Sequence, residues 1–542
     1  MDCNSGPQNN LIFGIEKKKV MGLLVTIVLT SLIWALPTDF FGVEGLTVIE
    51  QRIIAIFVMA AVMWIMEPIP IWGTSVVVMV LMLLTTSDSM LSFLHDGYGD
   101  MENLDNMHRL ADLFGISSNG DAYALKEALN GAMKKSVLYG GEKIPTLSSK
   151  SIMAAFAHPT VMLFMGGFVL AIAATKYKLD ATLARAILKP FGTKPKYVML
   201  GFLFVTAILS MFMSNTATAA MMIAILVPVL ATMPESDNKG RVGLALAIPV
   251  AANIGGVGTP IGTPPNVVAT GWLESMGLEI SFGKWMMLMV PLALLILFIA
   301  WLFLCKFFPS KQEKIEVKID GDIDKSPKAY VVYVTFAVTI FLWVFGKALF
   351  NVNANVVALI PFAVFCLTGV FGKKDLAKID WDVLWLVAGG FALGVGLESA
   401  SGVLDPETGK VMTMSEHVVK SIDFKSWSTI AVILGSGVLC LVMSTFMSNS
   451  ATAALLIPIF VSIAKGMGPK LDPYGGATTL IVGLALSASF AMALPISTPP
   501  NAIAYQKGFI KQSEMAIVGI FVGIVSLILG YLLLFNFSSL LG

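Results

Sequence analysis

The chain has 542 residues, of which 56% are hydrophobic and 13% are charged, whereas a soluble domain carries about 25% charged residues. This composition excludes a soluble globular protein and indicates a polytopic membrane protein. A net charge of +1 without a basic tract gives no sign of nucleic-acid binding, and four cysteines without ligand spacing predict neither a disulfide framework nor a metal cofactor.

Most apolar segments are near the ~20 residues that a helix needs to cross a membrane. The first follows Lys17-Lys18-Lys19 and is expected to be a retained helix, because no small-residue cleavage site follows it before the second segment. The predicted crossings are residues 20–37, 52–66, 71–86, 154–175, 242–270, 284–308, 329–349, 354–371, 381–404, 477–505 and 514–536. They predict an all-α polytopic membrane protein with about 11 transmembrane helices.

Two longer apolar segments, 196–232 and 427–464, do not fit a single crossing. At ~1.5 Å per residue, either one as a single helix would far exceed the ~30 Å hydrocarbon core. Each carries Met-Ser-Asn and a hydroxyl residue near its centre, with no charged turn around it. We therefore expect each segment to turn at this motif and to leave on the side where it entered, as a re-entrant hairpin.

This motif is duplicated together with a second one. Met213-Ser214-Asn215-Thr216 precedes Thr263-Pro264-Pro265-Asn266, and Met447-Ser448-Asn449-Ser450 precedes Thr498-Pro499-Pro500-Asn501. The serines of the two triplets lie 234 residues apart, and the threonines of the two later motifs lie 235 residues apart. Repeats with broken helices at matching positions are typical of secondary transporters whose site lies at the bilayer midplane.

The distribution of basic residues predicts the orientation. With the N-terminus in the cytoplasm and both hairpins re-entrant, three basic clusters fall inside: Lys176, Lys178, Arg185 and Lys189; Lys306, Lys311, Lys314 and Lys318; and Lys373, Lys374 and Lys378. Five crossings separate the hairpins, so the two repeats are predicted to be inverted. The C-terminus and a polar insertion at 87–150 are expected outside.

The duplicated motifs favour ion binding. Ser, Asn and Thr are preferred N-caps and Pro is preferred at the first helical position, so Ser214, Thr263, Ser448 and Thr498 are each expected to begin a helix inside the membrane. Helix N-termini attract anions, and hydroxyl, carboxamide and carbonyl oxygens suit a hard cation such as Na⁺. Close helix packing by small residues is the alternative, but it accounts poorly for two matched pairs of motifs.

No Lys, Arg, Asp or Glu lies in 197–232, 242–273, 426–464 or 473–506. A dianion bound among these segments therefore needs compensation, and co-bound cations are its obvious source. The chain has no Walker A motif, no His-Glu-x-x-His and no Gly-x-Ser-x-Gly, which disfavours an ATP-driven pump and a membrane hydrolase.

At these motifs the chain resembles the divalent anion/sodium symporter family, which comprises Na⁺-coupled dicarboxylate, citrate and sulfate transporters. The resemblance covers nearly all of the chain. It implies that the hairpin tips hold the substrate through Asn215, Thr216, Asn449 and Ser450, with Thr263, Pro264, Thr498 and Pro499. It implies a first sodium site at Ser210, Ser214, Asn215 and Gly262, and a second at Ser444, Met447, Asn449 and Ser497.

The resemblance also implies a homodimer with an elevator mechanism. A transport domain of residues 195–308 and 427–536 moves against a scaffold of residues 20–190 and 329–405, the first part of which includes the 87–150 insertion.

We therefore expect a multi-pass symporter of the plasma membrane, the inner membrane of a bacterium, that imports succinate, malate or fumarate with Na⁺. It needs no other cofactor. The alternatives are a sulfate or tricarboxylate symporter, a Na⁺-independent dicarboxylate exchanger, and an anion channel that uses the same helix termini. A membrane enzyme is disfavoured, because the motifs contain no paired acid and base.

Overall fold

The computed structural model describes residues 11–12, 15–96, 136–139, 142–317, 323–404, 411–420 and 427–541. Within these ranges the chain is mainly helical, and its sheets are three antiparallel ribbons of two strands each. The ribbons pair Leu11–Ile12 with Ile15–Glu16, Ser136–Tyr139 with Glu142–Pro145, and Ala400–Leu404 with Val411–Thr413.

The helices are numbered in chain order. Helices α1 to α6 are Lys17–Ala35, Val48–Met66, Ile71–Thr85, Ser149–Ala154, Pro159–Lys176 and Leu179–Leu188. Helices α7 to α11 are Pro195–Phe212, Asn215–Thr232, Asn238–Gly256, Pro264–Ser275 and Phe282–Phe307. Helices α12 to α17 are Pro327–Phe350, Ala354–Val357, Leu359–Leu367, Lys373–Leu376, Trp381–Leu397 and Met414–Lys420. Helices α18 to α22 are Thr429–Phe446, Asn449–Met467, Gly476–Ser489, Pro499–Gln506 and Gln512–Phe537.

Apolar helices occupy every predicted crossing, which confirms the helical membrane fold. Nine helices among the described residues are long and apolar enough to span a membrane. The predicted end of the crossing at 381–404 is wrong: the helix ends at Leu397, because polar Glu398 and Ser399 follow and the next residues pair as a strand. Of the predicted insertion at 87–150, residues 97–135 and 140–141 lie outside the described residues.

The first hairpin, α7 and α8, is re-entrant as predicted. Thr193, just before α7, accepts a hydrogen bond from the Ile315 amide at 2.7 Å. Asp237, just after α8, accepts from the Ser310 hydroxyl at 2.5 Å and from the Lys311 amide at 3.0 Å. Both feet of this hairpin therefore lie beside residues 310–315.

The second hairpin, α18 and α19, has its feet at the C-terminal end of α22. The ring of Tyr531 lies against Gly437, midway along α18, whereas Leu441, further along α18, lies near Gly523, earlier in α22. These two helices therefore run antiparallel. After α19, Gly475 lies directly against Ser538, so the second foot reaches the same end.

The two hairpins enter from opposite ends, which confirms the predicted inversion. The rings of Phe303, near the end of α11, and Phe521, in the first half of α22, stack with centroids 4.0 Å apart. Since α11 leads to Ser310 at the feet of the first hairpin, α22 starts near those feet and runs away from them to the feet of the second.

The chain forms two compact units. The first comprises Met1–His158 and Ala388–Ser426. Within it, the buried Arg52 guanidinium donates to the carbonyls of Thr85 at 3.0 Å and Leu94 at 2.8 Å. His417 lies 2.8 Å from the Glu50 carboxylate, so the short helix α17 is tied to α2.

The second unit comprises Pro159–Val387 and Trp427–Gly542 and contains both hairpins. Its helix α5 runs from Thr160, which donates to Glu274 at 3.3 Å, to Lys176, which pairs with Asp375 at 2.6 Å. Burial opposes ionisation of Asp375, but the hydrogen bond from Lys176 keeps the pKa of this carboxyl below its ordinary value.

Candidate functional site

Four helices begin at the predicted residues inside the second unit. Ser214 and Ser448 cap α8 and α19, each accepting a backbone hydrogen bond at 3.2 Å, from Ala217 and Ala451. Thr498 caps α21 in the same way and accepts from the Asn501 amide at 3.3 Å. Thr263 is the N-cap residue of α10, where its carbonyl accepts from the Asn266 amide at 3.1 Å but its side chain makes no capping bond.

Glycines allow the break between α9 and α10. A Cβ on Gly262 would overlap the Gly256 carbonyl, and a Cβ on Gly256 would lie 2.6 Å from the Asn215 carboxamide. The carboxamide of Asn266 holds the broken segment by donating to the carbonyls of Gly256 at 3.1 Å and Thr259 at 2.9 Å. The loop backbone therefore approaches the tip of the first hairpin closely.

The break between α20 and α21 is held in the same way. The Asn501 carboxamide donates to the carbonyls of Met492 at 2.8 Å and Leu494 at 3.0 Å. Ser497 accepts from the Leu494 amide at 3.2 Å and donates to the Thr445 carbonyl at 2.6 Å, which attaches this loop to the second hairpin. Asn266 and Asn501 thus have the same role in the two repeats: each donates hydrogen bonds to the loop carbonyls at a helix break.

At the first tip, oxygens surround the Asn215 carboxamide. With its nitrogen turned inward, the amide donates to Ser210 Oγ at 2.5 Å and to the carbonyls of Gly262 at 3.1 Å and Ala252 at 3.2 Å. With its oxygen turned inward, four oxygens converge and only the Ser210 hydroxyl carries a hydrogen. That second setting has more acceptors than donors, which is the arrangement a hard cation requires.

The second tip has the same excess of acceptors. Ser444 Oγ lies 2.9 Å from both Asn449 Oδ1 and the Ala488 carbonyl, so one hydroxyl hydrogen faces two acceptors. The Asn449 nitrogen points instead toward the Ser489 carbonyl, 3.4 Å away. This geometry fits a cation at the second tip as well.

The structure thus brings together part of each implied sodium site. Ser210, Asn215 and Gly262 share one cluster, and Ser444 and Asn449 share the other, with Ser497 bound to the residue after Ser444. The Ser214 hydroxyl caps α8. The Met447 amide donates to the Met443 carbonyl, and this bond does not involve the Met447 carbonyl, which is the implied sodium ligand.

The implied substrate residues differ in exposure. Thr216 and Pro499 are exposed; Asn215, Pro264, Asn449 and Ser450 are half-buried; and Thr263 and Thr498 are buried. The two helices that begin at Thr-Pro-Pro-Asn, α10 and α21, are called the half-helices, and each contacts the other repeat. Helix α21 of the second repeat packs against α8 and α9 of the first, and α10 of the first repeat packs against α19 and α20 of the second. Each Thr-Pro-Pro-Asn helix therefore lies against the hairpin of the other repeat, and helix N-termini suited to an anion gather in one unit.

Asn253 of α9 is a site residue that was not predicted from the sequence. This residue is buried, and its carboxamide donates to Thr498 Oγ1 and to Asn501 Oδ1, both at 3.2 Å. It is the direct polar link between a helix of the first repeat and the Thr-Pro-Pro-Asn motif of the second. The available signal was a carboxamide within a charge-free apolar helix, where an unpaired amide is costly.

Comparison with known proteins gives one family and several relatives. The model of the sodium:sulfate symporter transmembrane region matches residues 17–542. An uncharacterized transporter of Haemophilus influenzae is 34% identical over 406 residues, which cover 70% of this chain and 82% of the relative. The sodium-dependent dicarboxylate transporter SdcS of Staphylococcus saprophyticus is 32% identical over 418 residues, 70% of this chain and 77% of the relative. The sodium-dependent high-affinity dicarboxylate transporter 3 of Caenorhabditis elegans is 32% identical over 442 residues, 71% of this chain and 75% of the relative.

Proposed function

The chain belongs to the sodium:sulfate symporter family, and on this basis we propose that it imports C4-dicarboxylates such as succinate, malate and fumarate together with Na⁺ across the plasma membrane. It is a multi-pass membrane transporter and not an enzyme. Relatives named sodium-dependent dicarboxylate transporters support a Na⁺-coupled carrier of dicarboxylates or other divalent anions. The observation that carries the proposal is the excess of oxygen acceptors at both hairpin tips.

Charge compensation explains why sodium is needed. The segments at the tips contain no fixed positive charge, and a helix N-terminus supplies only about half a charge. Because an uncompensated buried charge is costly, Na⁺ binds before the dianion. At the first tip, Na⁺ turns Asn215 Oδ1 inward, and this leaves the amide nitrogen free to donate to a substrate carboxylate. Sodium and substrate then strengthen each other's binding by the same coupling energy.

The elevator mechanism and the domain division belong to the same proposal. Residues 195–308 and 427–536 pack against each other through the crossed half-helices, which supports their movement as one transport domain. The compact unit that holds them also contains the scaffold residues 159–190 and 329–387. Contacts between them and the proposed scaffold have to break during the movement. Examples are Thr160 with Glu274 at 3.3 Å and Asn353 with Glu279 at 3.2 Å. We also propose a homodimer, with the N-terminus in the cytoplasm and the C-terminus outside.

Sulfate is the second candidate substrate, because the matching family model is named for it. The test is uptake of labelled succinate into proteoliposomes in a sodium or a choline gradient, with excess malate, fumarate, citrate or sulfate as competitor. We expect uptake that requires sodium and that malate and fumarate suppress. Competition by sulfate alone would favour the second candidate.

Two mechanistic alternatives have their own outcomes in the same vesicles. If vesicles loaded with dicarboxylate take up as much labelled succinate in choline as in sodium, the protein is an exchanger and not a symporter. Failure of internal substrate to accelerate labelled uptake, together with flux that only follows the gradient, would indicate a channel.

A further inference from the structure

We propose that Asn253 is a positioning residue that aims the hydroxyl proton of Thr498 at the substrate. Asn253 belongs to the first repeat and Thr498 to the second, so one repeat prepares the binding group of the other. The inference rests on the proposed function, since it takes Thr498 as a substrate-binding residue.

The orientation of the Asn253 carboxamide follows from its neighbour. Asn501 uses its side-chain nitrogen on the carbonyls of Met492 and Leu494, so its Oδ1 faces Asn253 as an acceptor. The Asn253 atom 3.2 Å from that oxygen must therefore be the nitrogen, because two facing oxygens would repel. The other hydrogen of this nitrogen then points to Thr498 Oγ1, also 3.2 Å away.

The orientation of the Thr498 hydroxyl follows in turn. Its oxygen accepts from the Asn253 carboxamide at 3.2 Å and from the Asn501 amide at 3.3 Å. A hydroxyl has two acceptor positions and one hydrogen, so both acceptor positions are used and the hydrogen has to point away from the two donors. Thr498 is the N-cap residue of α21, where an anion is favoured. A substrate carboxylate there receives this hydrogen without any prior rearrangement.

The first repeat lacks the equivalent device. At the position 235 residues after Asn253, the offset of the two Thr-Pro-Pro-Asn motifs, the chain has Ala488, and the hydroxyl of the next residue, Ser489, donates to the Ala485 carbonyl. Accordingly, the buried Asn266 Oδ1 has no hydrogen-bond partner within the described part of the chain, and the Thr263 side chain makes no capping bond. The site thus has one oriented and one unoriented threonine hydroxyl, and it holds the two ends of a dicarboxylate differently.

The test is a double-mutant cycle on the full chain in proteoliposomes, with labelled succinate uptake at saturating sodium. Asn253→Ala and Thr498→Val should each raise the KM for succinate about tenfold, as expected for loss of a hydrogen bond to a charged group. In the Thr498→Val background, Asn253→Ala should raise KM less than about twofold further, because the group it orients is already gone. Thr498→Ser keeps the hydroxyl and should recover most of the affinity that Thr498→Val loses. Ser487→Ala, which removes a buried hydroxyl bonded to the Gly483 carbonyl within α20, is the matched control and should leave KM unchanged.

The proposal would be overturned if Asn253→Ala raised KM by the same factor in the wild-type and Thr498→Val backgrounds. It would also be overturned if a folded Asn253→Ala variant kept the wild-type KM. If Asn253→Ala does not fold, Asn253→Leu carries the test. It fills a similar volume but has no hydrogen to donate, so it should raise KM at least as much, and a wild-type KM would again overturn the inference. An error in the proposed substrate is detected separately, with the wild-type protein. If the wild type takes up labelled sulfate and not labelled succinate, the same double-mutant cycle is measured with sulfate.

Discussion

In the proposed function, Asn215 and Asn449 each bind a cation and an anion through one carboxamide. The oxygen of each side chain faces, or can be turned to face, a serine hydroxyl and backbone carbonyls, and its nitrogen is then directed elsewhere. The two proposed roles should be separable by mutation, because the serines behind the tips contact the carboxamides on the side of the proposed cation.

Replacing either tip asparagine should abolish transport without unfolding the protein. Asn215→Ala and Asn449→Ala each remove a ligand for both ions, whereas an intramembrane hydrogen bond contributes only about 0.6–2 kcal/mol to stability. Uptake by proteoliposomes and elution on size exclusion in detergent measure the two effects. Substantial uptake by both variants would show that the tips are not the site.

Replacing the serines behind the tips should act on sodium alone. Ser210→Ala and Ser444→Ala remove a cation ligand, so the sodium concentration for half-maximal uptake should rise, and saturating sodium should restore much of the substrate affinity. Ser462→Ala, whose hydroxyl bonds back to the Pro458 carbonyl within α19, is the matched control. A raised succinate KM that persists at saturating sodium would contradict the assignment.

The sequence predicted the residues at the tips because two copies of the same pair of motifs have nearly the same spacing. It did not predict Asn253, because that residue lacks a counterpart in the second repeat and its partners lie 245 and 248 residues away. It did predict Ser214 as an N-cap, because capping preference is local. The partners of Asn253 depend instead on tertiary geometry.

The broken helices show which features of an element sequence can predict. Thr-Pro-Pro-Asn predicts where α10 and α21 begin, since capping and proline preferences are local. Where α9 and α20 end is set by Asn266 and Asn501, whose amides compete for the loop carbonyls from the following helix. Sequence therefore predicts the starts of these helices better than their ends.

A methyl group added at the break between α9 and α10 should disrupt the proposed sodium site at the first hairpin tip. Gly262→Ala places a Cβ against the Gly256 carbonyl, so the loop has to shift away from Asn215 and sodium-dependent uptake should fall at least tenfold. Gly435→Ala in α18 is the control, because nothing lies within 4 Å of the added methyl group. Wild-type sodium dependence in Gly262→Ala would show that this loop does not shape the site.

The molecule as a whole is organised by the opposed hairpins, and the sequence predicted this from length, charge and basic clusters. The structure adds that the feet of the first hairpin and the feet of the second lie at opposite ends of the second unit. Which end faces the cytoplasm is a prediction from the basic residues.

Thiol labelling tests that orientation. In a chain without its native cysteines, cysteines replacing Ser117 and Ser539 should react with an impermeant reagent in intact cells, and one replacing Ser326 should react only after permeabilisation. Labelling of position 326 alone in intact cells would show that the orientation is the reverse of the predicted one.

The crossed half-helices have a consequence for biosynthesis. When α10 leaves the ribosome, α19 and α20, against which it packs, are about 180 residues from being made. The carboxamide of Asn253 must therefore wait in the membrane, because its acceptors are Thr498 and Asn501. The nascent first half should depend on the insertion machinery or on chaperones until the second half arrives. Neither half should persist alone in a cell, whereas residues 1–320 and 321–542 expressed together should assemble into a working carrier.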